Sequence, residues 1–275
     1  MHHGLTTSGY HRIITIRVRD DTAMFTTLRI RFEKFIYSGK VQGPGNNSLI
    51  DLFRLLVKAI RIKGWKPVVS YGAFLLRKRS AQPKNKPFVM ACFVNSTCNL
   101  HCPYCCYGVP DHSFLGRQYA FDELLTCRTM TVQDYKKLAE HPLFSDALAL
   151  ILTGGEPLLN PDLFRIINAA QKRFPLIHLT TNGTMIHHYI DELIDSALTN
   201  INISLDASCS ETYRKMRIDH ENAFDRVVSN ISLLVQKRTQ KNKRLKIILS
   251  FVVGMFNYRE MEDMIRLAVA LRADS

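Results

Sequence analysis

Five short apolar runs, each closed by a polar or glycine break and followed by a helix-like segment, constrain this chain more than any other feature. They cover 88–94, 147–152, 176–181, 201–205 and 245–253. They end at Asn95-Ser96-Thr97, Thr153-Gly154-Gly155-Glu156-Pro157, Asn182-Gly183, Asp206 and Gly254. The first, Phe88 to Val94, carries no charge, as a strand buried in a parallel sheet would. Helix punctuation falls between the runs. Thr131 caps 132–140, Asn160 followed by Pro161 opens 161–173, and further helices are expected over 191–198, 221–238 and 258–272. Strand–helix alternation without hairpin signals places the chain in the α/β class, as a parallel sheet or barrel. The chain of 275 residues is 46% hydrophobic and 22% charged, enough to supply a core, so disorder is not its main state. No window reaches the roughly 18 uninterrupted apolar residues of a spanning helix. The start, Met1-His2-His3-Gly4, lacks the layout of a secretory signal.

The first run empties into Cys98-Asn99-Leu100-His101-Cys102-Pro103-Tyr104-Cys105, a C-x3-C-x2-C spacing on a loop at the carboxyl end of a strand. Three thiolates on one short loop can hold three corners of a cubane [4Fe–4S] cluster, leaving the fourth iron open to an outside chelator. A structural zinc site is the competing reading, with His101 or Cys106 as a fourth ligand, and inert thiols are the third. No second C-x2-C or His pair at finger spacing accompanies the loop. Loops beyond carboxyl strand ends are also where α/β proteins place active sites. Of seven cysteines, three crowd into eight residues, which favours metal over a disulfide scaffold and a reducing cytoplasm as the compartment. Cys92 reads as a small core residue and Cys106 as a non-ligand. Cys127 and Cys209 have no partners at cluster spacing, and His187-His188 reads as a helix-face pair.

C-x3-C-x2-C with an aromatic, Tyr104, before the last cysteine resembles the signature loop of the radical S-adenosylmethionine (SAM) superfamily. The downstream breaks follow the same order. The resemblance implies that Cys98, Cys102 and Cys105 hold the cluster. It implies that Gly154, Gly155 and Glu156 meet the methionyl amino group of SAM, with Glu156 as the anionic partner. Asn182 matches a Thr-Asn-Gly segment of that site, and Ser204 and Asp206 fall where ribose hydroxyls are bonded. Val253 and Asn257 lie in a fifth-strand segment whose apolar residues meet adenine. Gly-Gly-Glu-Pro, Thr-Asn-Gly and Ser-Leu-Asp together look most like the branch holding the molybdopterin-precursor GTP cyclase, the SPASM-type peptide-modifying maturases and haem-modifying enzymes. The implied fold is a partial (β/α)6-type barrel over 88–275. The chain stops at Ala273-Asp274-Ser275, about where a sixth strand would begin, so a truncated core or fragment is expected. The implied activity is reductive cleavage of SAM and hydrogen abstraction from an unidentified small-molecule, peptide or lipid-like substrate. Its electron would come from a reduced ferredoxin- or flavodoxin-like donor. The other class is a non-catalytic iron–sulfur or zinc-binding interaction protein.

The net charge of +13 sits in one place. Residues 1–90 carry 17 Lys and Arg against 4 Asp and Glu, whereas 91–275 balance 20 against 20. This marks 1–87 as a basic N-terminal region with its own job. Short β-like runs (14–16, 27–30) precede a Gly-rich turn at 43–47. From Ser48 to Lys63, Asp51, Arg54, Lys58 and Arg61 form a narrow polar stripe on an amphipathic helix closed by Gly64. One reading packs this helix on the following domain. Another lays it on anionic lipid, backed by Lys66, Arg77, Lys78, Arg79, Lys84 and Lys86, as a peripheral membrane contact through 48–86. Nucleic acid is disfavoured, since no reading module is visible. Pro83 and Pro87 mark a linker, and 107–130, with Asp111, His112, Arg117 and Asp122, an insertion after the cysteine loop.

Overall fold

The computed structural model describes residues 14–18, 26–30, 48–76, 86–105, 107, 129–218 and 222–275. The expectations for the 43–47 turn, Arg77 to Lys84, Cys106, Cys127 and most of the 107–130 insertion fall outside these residues. The chain divides into two compact units, Met1–Gln42 and Gly43–Ser275. In the first, β1 (Ile14–Val18) and β2 (Thr26–Ile30) pair antiparallel, with Ile14 opposite Ile30.

The second unit opens with a helical hairpin, α1 (Ser48–Lys63) and α2 (Trp65–Leu76). Gly64, at φ 77°, takes the left-handed turn that ends α1, and its N–H donates to Ile60 O at 2.8 Å. The sequence reading stopped at this glycine. Trp65 nevertheless starts a second helix, whose Pro67 falls in the first turn, where a missing N–H costs nothing.

Five strands then alternate with helices: β3 (Val89–Asn95), α3 (Val132–Glu140), β4 (Ala149–Gly154), α4 (Leu163–Ala170), β5 (Leu176–Thr181), α5 (Ile190–Asp195), β6 (Asn200–Ser204), α6 (Ser210–Arg217), α7 (Ala223–Gln240), β7 (Lys246–Ser250) and α8 (Met261–Ala270). The strands lie in sequence order, β3-β4-β5-β6-β7, and every pairing is parallel. The α/β class and the parallel sheet expected from the runs are therefore present, and the sheet is not closed. Along the outer edge of β7, the Asp274 N–H donates to Ile247 O at 2.8 Å and the Leu249 N–H to Ser275 O at 2.7 Å, so the last residues run beside that strand.

Burial alternates along the strands because the helices pack on one face. Met90, Cys92, Val94, Leu150, Leu152, Ile177, Leu179, Ile201, Ile203 and Ile247 point into that helix-covered core. Phe93, Thr153, Thr180, Asn202, Ser204 and Ser250 line the opposite, more open face. Apolar side chains stand on the open face of β3 too, at Val89, Ala91 and Phe93, so that strand reads as a continuous apolar run. The expected cap at Thr131 forms, and as a capping box: the Asp134 N–H donates to its hydroxyl, and the Thr131 N–H to the Asp134 carboxylate. β7 ends at Ser250, short of the expected 253. The Val252 N–H is drawn to Asp206 Oδ1 at 2.7 Å and Val252 O accepts from Asn257 at 2.8 Å, which turns the chain out of the sheet.

The hairpin packs at the amino ends of the strands, opposite the cysteine loop. Lys63 Nζ donates to Ser145 O at 3.1 Å and sits 5.1 Å from the Phe174 ring centroid, while Tyr71 meets Phe88 edge-on at 5.2 Å. Burial, with the Arg173 cation nearby, lowers the Lys63 ammonium to about 8. No described helix is long and apolar enough to cross a membrane.

Candidate functional site

The cysteine loop leaves β3 at Asn95 and is bound onto the carboxyl end of β4 by backbone hydrogen bonds. The Gly155 N–H donates to Asn95 O at 2.6 Å and the Glu156 N–H to Thr97 O at 2.8 Å. The glycine pair makes this approach feasible. A Cβ on Gly154, which lies at φ 130°, would sit 2.4 Å from Asn95 O, and one on Gly155 2.1 Å from Thr97 O. What approaches these glycines here is the backbone of the cysteine loop.

Asn95 organises the turn. Only 1% exposed, its amide donates to Thr97 O and Glu156 O, both at 3.2 Å, and its oxygen accepts from Thr97 and Thr129. Beyond Cys98, Asn99 bonds Thr184 and Asn182 at 2.8 Å each, and the Asn182 amide also reaches Cys98 Sγ at 3.8 Å. The Asn182 oxygen accepts from the Thr184 N–H and hydroxyl. The loop is thus seated on the ends of both β4 and β5.

All three cysteines of the motif are unbridged, Cys102 buried and Cys98 and Cys105 half-buried. Burial pushes the Cys98 thiol up to about 11, and it also raises Cys102, where the Arg217 guanidinium pulls back. Among the described residues no three His, Cys, Asp or Glu side chains converge closely enough to hold a single metal ion. The three thiols of the motif all lie on this one seated loop, the donor set that can hold three corners of a [4Fe–4S] cluster.

Glu156 is fully buried. Its Oε1 accepts from the Leu158 N–H at 3.0 Å and the Thr181 hydroxyl at 2.7 Å, and its Oε2 from the Asn182 N–H at 2.8 Å. Burial raises its carboxyl above the ordinary value, while these donors draw it back. The carboxylate therefore ties β4 to β5 beneath the loop.

Asp206, just past β6, adopts the left-handed region at φ 59°, which short polar side chains tolerate. Its carboxylate accepts from the Tyr104 hydroxyl at 2.7 Å, from Arg217 Nη2 at 2.6 Å and from the Val252 N–H at 2.7 Å. Arg217, at the end of α6, has no counterpart in the sequence reading. Its Nη2 also donates to Ser204 O at 2.7 Å, and its Nη1 lies 3.5 Å from Cys102 Sγ. Burial works against its charge, but the Asp206 carboxylate together with the neighbouring Cys102, Tyr104 and Tyr213 groups more than offsets that, and the guanidinium is held above the usual arginine range. Nothing local marks this arginine, since its partners lie as far as 115 residues away.

Asn257 is completely buried. It accepts from the Gly254 N–H and donates to Asp206 O and Val252 O, bracing the 252–257 turn. Val252, Val253, Met255 and Phe256 stand exposed on that turn. Every expected residue therefore lies at one end of the sheet. Tyr104, Asn182 and Asp206 belong to bonded networks there, and Ser204 joins through its carbonyl.

Comparisons with known proteins agree with this geometry. The family model described as the radical SAM superfamily matches residues 93–268. A Synechocystis protein named GTP 3',8-cyclase is 30% identical over 173 residues, 62% of this chain and 47% of that protein. A Staphylococcus haemolyticus protein of the same name is 36% identical over 126 residues, 44% of this chain and 34% of that one. The chain thus spans about half the length, or less, of these curated relatives. Streptococcus suis SuiB bound to S-adenosylmethionine superposes with a TM-score of 0.51 at 13% identity, over 76% of this chain and 50% of SuiB, which is a likeness of fold. Members of the matched family use a [4Fe–4S] cluster with SAM, and the seated three-cysteine loop fits that pair. The chain belongs to the radical SAM superfamily.

Proposed function

We propose that residues 88–275 form the catalytic core of a radical SAM enzyme in which Cys98, Cys102 and Cys105 hold a [4Fe–4S] cluster. The observation that carries this reading is the seating of the three-cysteine loop on Gly154-Gly155-Glu156 at the carboxyl ends of parallel strands. When bound, the cluster supplies the electron for reductive cleavage of SAM, the source of the species that abstracts hydrogen from substrate. The protein's own residues position and shield. Glu156 and Asn182 hold the loop and the ends of β4 and β5 in register. In this reading Glu156 serves SAM through the frame it maintains. Tyr104, Ser204, Asp206, Val253 and Asn257 edge the SAM site, and the apolar turn at 252–256 offers a face for adenine. The open face of the sheet, with Thr153, Thr180 and Asn202, is polar enough to bind a hydrogen-bonding substrate. The electron donor in this reading is a reduced ferredoxin- or flavodoxin-like protein.

A GTP-like substrate is the reading that the named relatives favour, because two of them are GTP cyclases. A peripheral contact with anionic membrane has its own support. On the hairpin Leu56, Ile60, Trp65 and Val69 are exposed beside Arg61 and Lys66.

Alanine variants of the three cysteines test the core reading. Wild-type protein reconstituted anaerobically with iron and sulfide should bind close to one cluster, and Cys102→Ala should bind none. Zinc binding with no iron–sulfur absorption in the wild type would return the chain to the class of metal-binding interaction proteins.

A further inference from the structure

We infer that Arg217 is a positioning residue that sets the reduction potential of the group held by the cysteine loop, an inference that rests on the cluster reading above. Its guanidinium is divided between two partners of different kind. One arm bonds the Asp206 carboxylate at 2.6 Å and Ser204 O at 2.7 Å, and the other points at Cys102 Sγ from 3.5 Å. Both members of the ion pair are almost wholly buried, with side chains 7% and 1% exposed. Asp206 is itself fixed by the Tyr104 hydroxyl and the Val252 N–H, so the fork cannot swing freely away from the sulfur.

A buried pair of this kind gives little net stability, because desolvation offsets the attraction. A helix end could be anchored on β6 without charge. What the charge accomplishes is local: a cation against a thiolate ligand favours the more electron-rich state of whatever that thiolate binds. Hydrogen bonds and charges at the sulfurs are among the main determinants of iron–sulfur potentials. Arg217 faces the sulfur directly, whereas Asp206 reaches it only across the guanidinium. The arginine therefore raises the potential, and the carboxylate partly offsets that effect. Ile218, the next residue, is forced to φ 42°, an uncommon conformation for a β-branched side chain.

The opposite signs of the two charges make the inference testable apart from SAM turnover. The full chain is reconstituted anaerobically, iron is counted, and the midpoint potential is measured by EPR-monitored redox titration in the absence of SAM. Arg217→Gln is expected to move the midpoint to more negative values and Asp206→Asn to more positive values. Arg217→Lys, which keeps the charge, should stay near wild type. Midpoints that coincide with wild type, or that shift in the same direction in the Gln and Asn variants, would overturn the inference. Should R217Q fail to take up the cluster, D206N decides: a midpoint more positive than wild type supports the inference, and one that is unchanged or more negative overturns it. A wild-type preparation with no cluster would count against the cluster reading itself, and it is measured first.

Discussion

Replacing Gly155 with alanine should unseat the cysteine loop while leaving the sheet folded. Gly155 has an ordinary backbone conformation, so any effect comes from contact alone. The added Cβ would meet Thr97 O at 2.1 Å and Thr97 C at 2.6 Å, and both are backbone atoms that no rotamer change can remove. Carbon–oxygen contacts close to about 3.3 Å, so the loop must withdraw by roughly 1 Å. That displacement breaks the Glu156–Thr97 and Gly155–Asn95 backbone bonds, which are 2.8 and 2.6 Å long. A buried donor left without a partner costs about 1–3 kcal/mol, so the two together cost about 2–6 kcal/mol. Domains of this kind are stable by about 5–15 kcal/mol, so the variant should remain folded with a lowered Tm. Its thiols would no longer be presented together. Thermal unfolding by circular dichroism and iron content after anaerobic reconstitution measure the two effects. Gly155→Ala protein with wild-type Tm and wild-type iron content would refute the reasoning.

Glu156→Ala strands three buried donors, a cost of about 3–9 kcal/mol, and should fail to accumulate as folded protein. Glu156→Gln keeps the shape and should fold with a lower Tm; equal melting of E156Q and wild type would contradict the bonding seen at that carboxylate. Lys63 has its folded-state value lowered to about 8, so its charge opposes folding below that pH. This penalty fades as the pH rises from about 8 towards the unfolded value of roughly 10.5. Lys63→Met should therefore gain most over wild type at pH 7, and a Tm difference that does not narrow by pH 10 would count against it. Trp65 is the only tryptophan and is 61% exposed, so its fluorescence reports the hairpin alone. Phosphatidylglycerol vesicles should shift its emission to the blue and phosphatidylcholine vesicles should not; no shift with either removes the membrane contact.

The sheet was legible because each strand carries its own punctuation: an apolar run, then Asn-Gly, Gly-Gly-Glu or an aspartate, then a capped helix. Thr131 with Asp134 and Gly64 could be read locally because caps are local chemistry. The cysteine loop was legible for the same reason, with all three thiols in eight residues. Less of the site's bonding could be foreseen. Asn95 looks like an ordinary turn asparagine, and the sequence offers Asn257 only as part of a SAM-facing segment, yet burial makes each a multiply bonded brace. Arg217 sits in a charged stretch that reads as a solvated helix face. Only the return of α6 across β6 brings it to Cys102 and Asp206. Gly154 and Gly155 stand out locally as a glycine pair, but which backbone approaches them depends on the pairing of β3 with β4, which no local pattern states.

The central claim is tested most directly by EPR of the dithionite-reduced, anaerobically reconstituted protein with and without SAM, with 5′-deoxyadenosine measured in the same tube. The account predicts a reduced-cluster signal that changes when SAM is added, together with deoxyadenosine that Cys102→Ala does not produce. A cluster whose signal ignores SAM, with no deoxyadenosine formed, would contradict it.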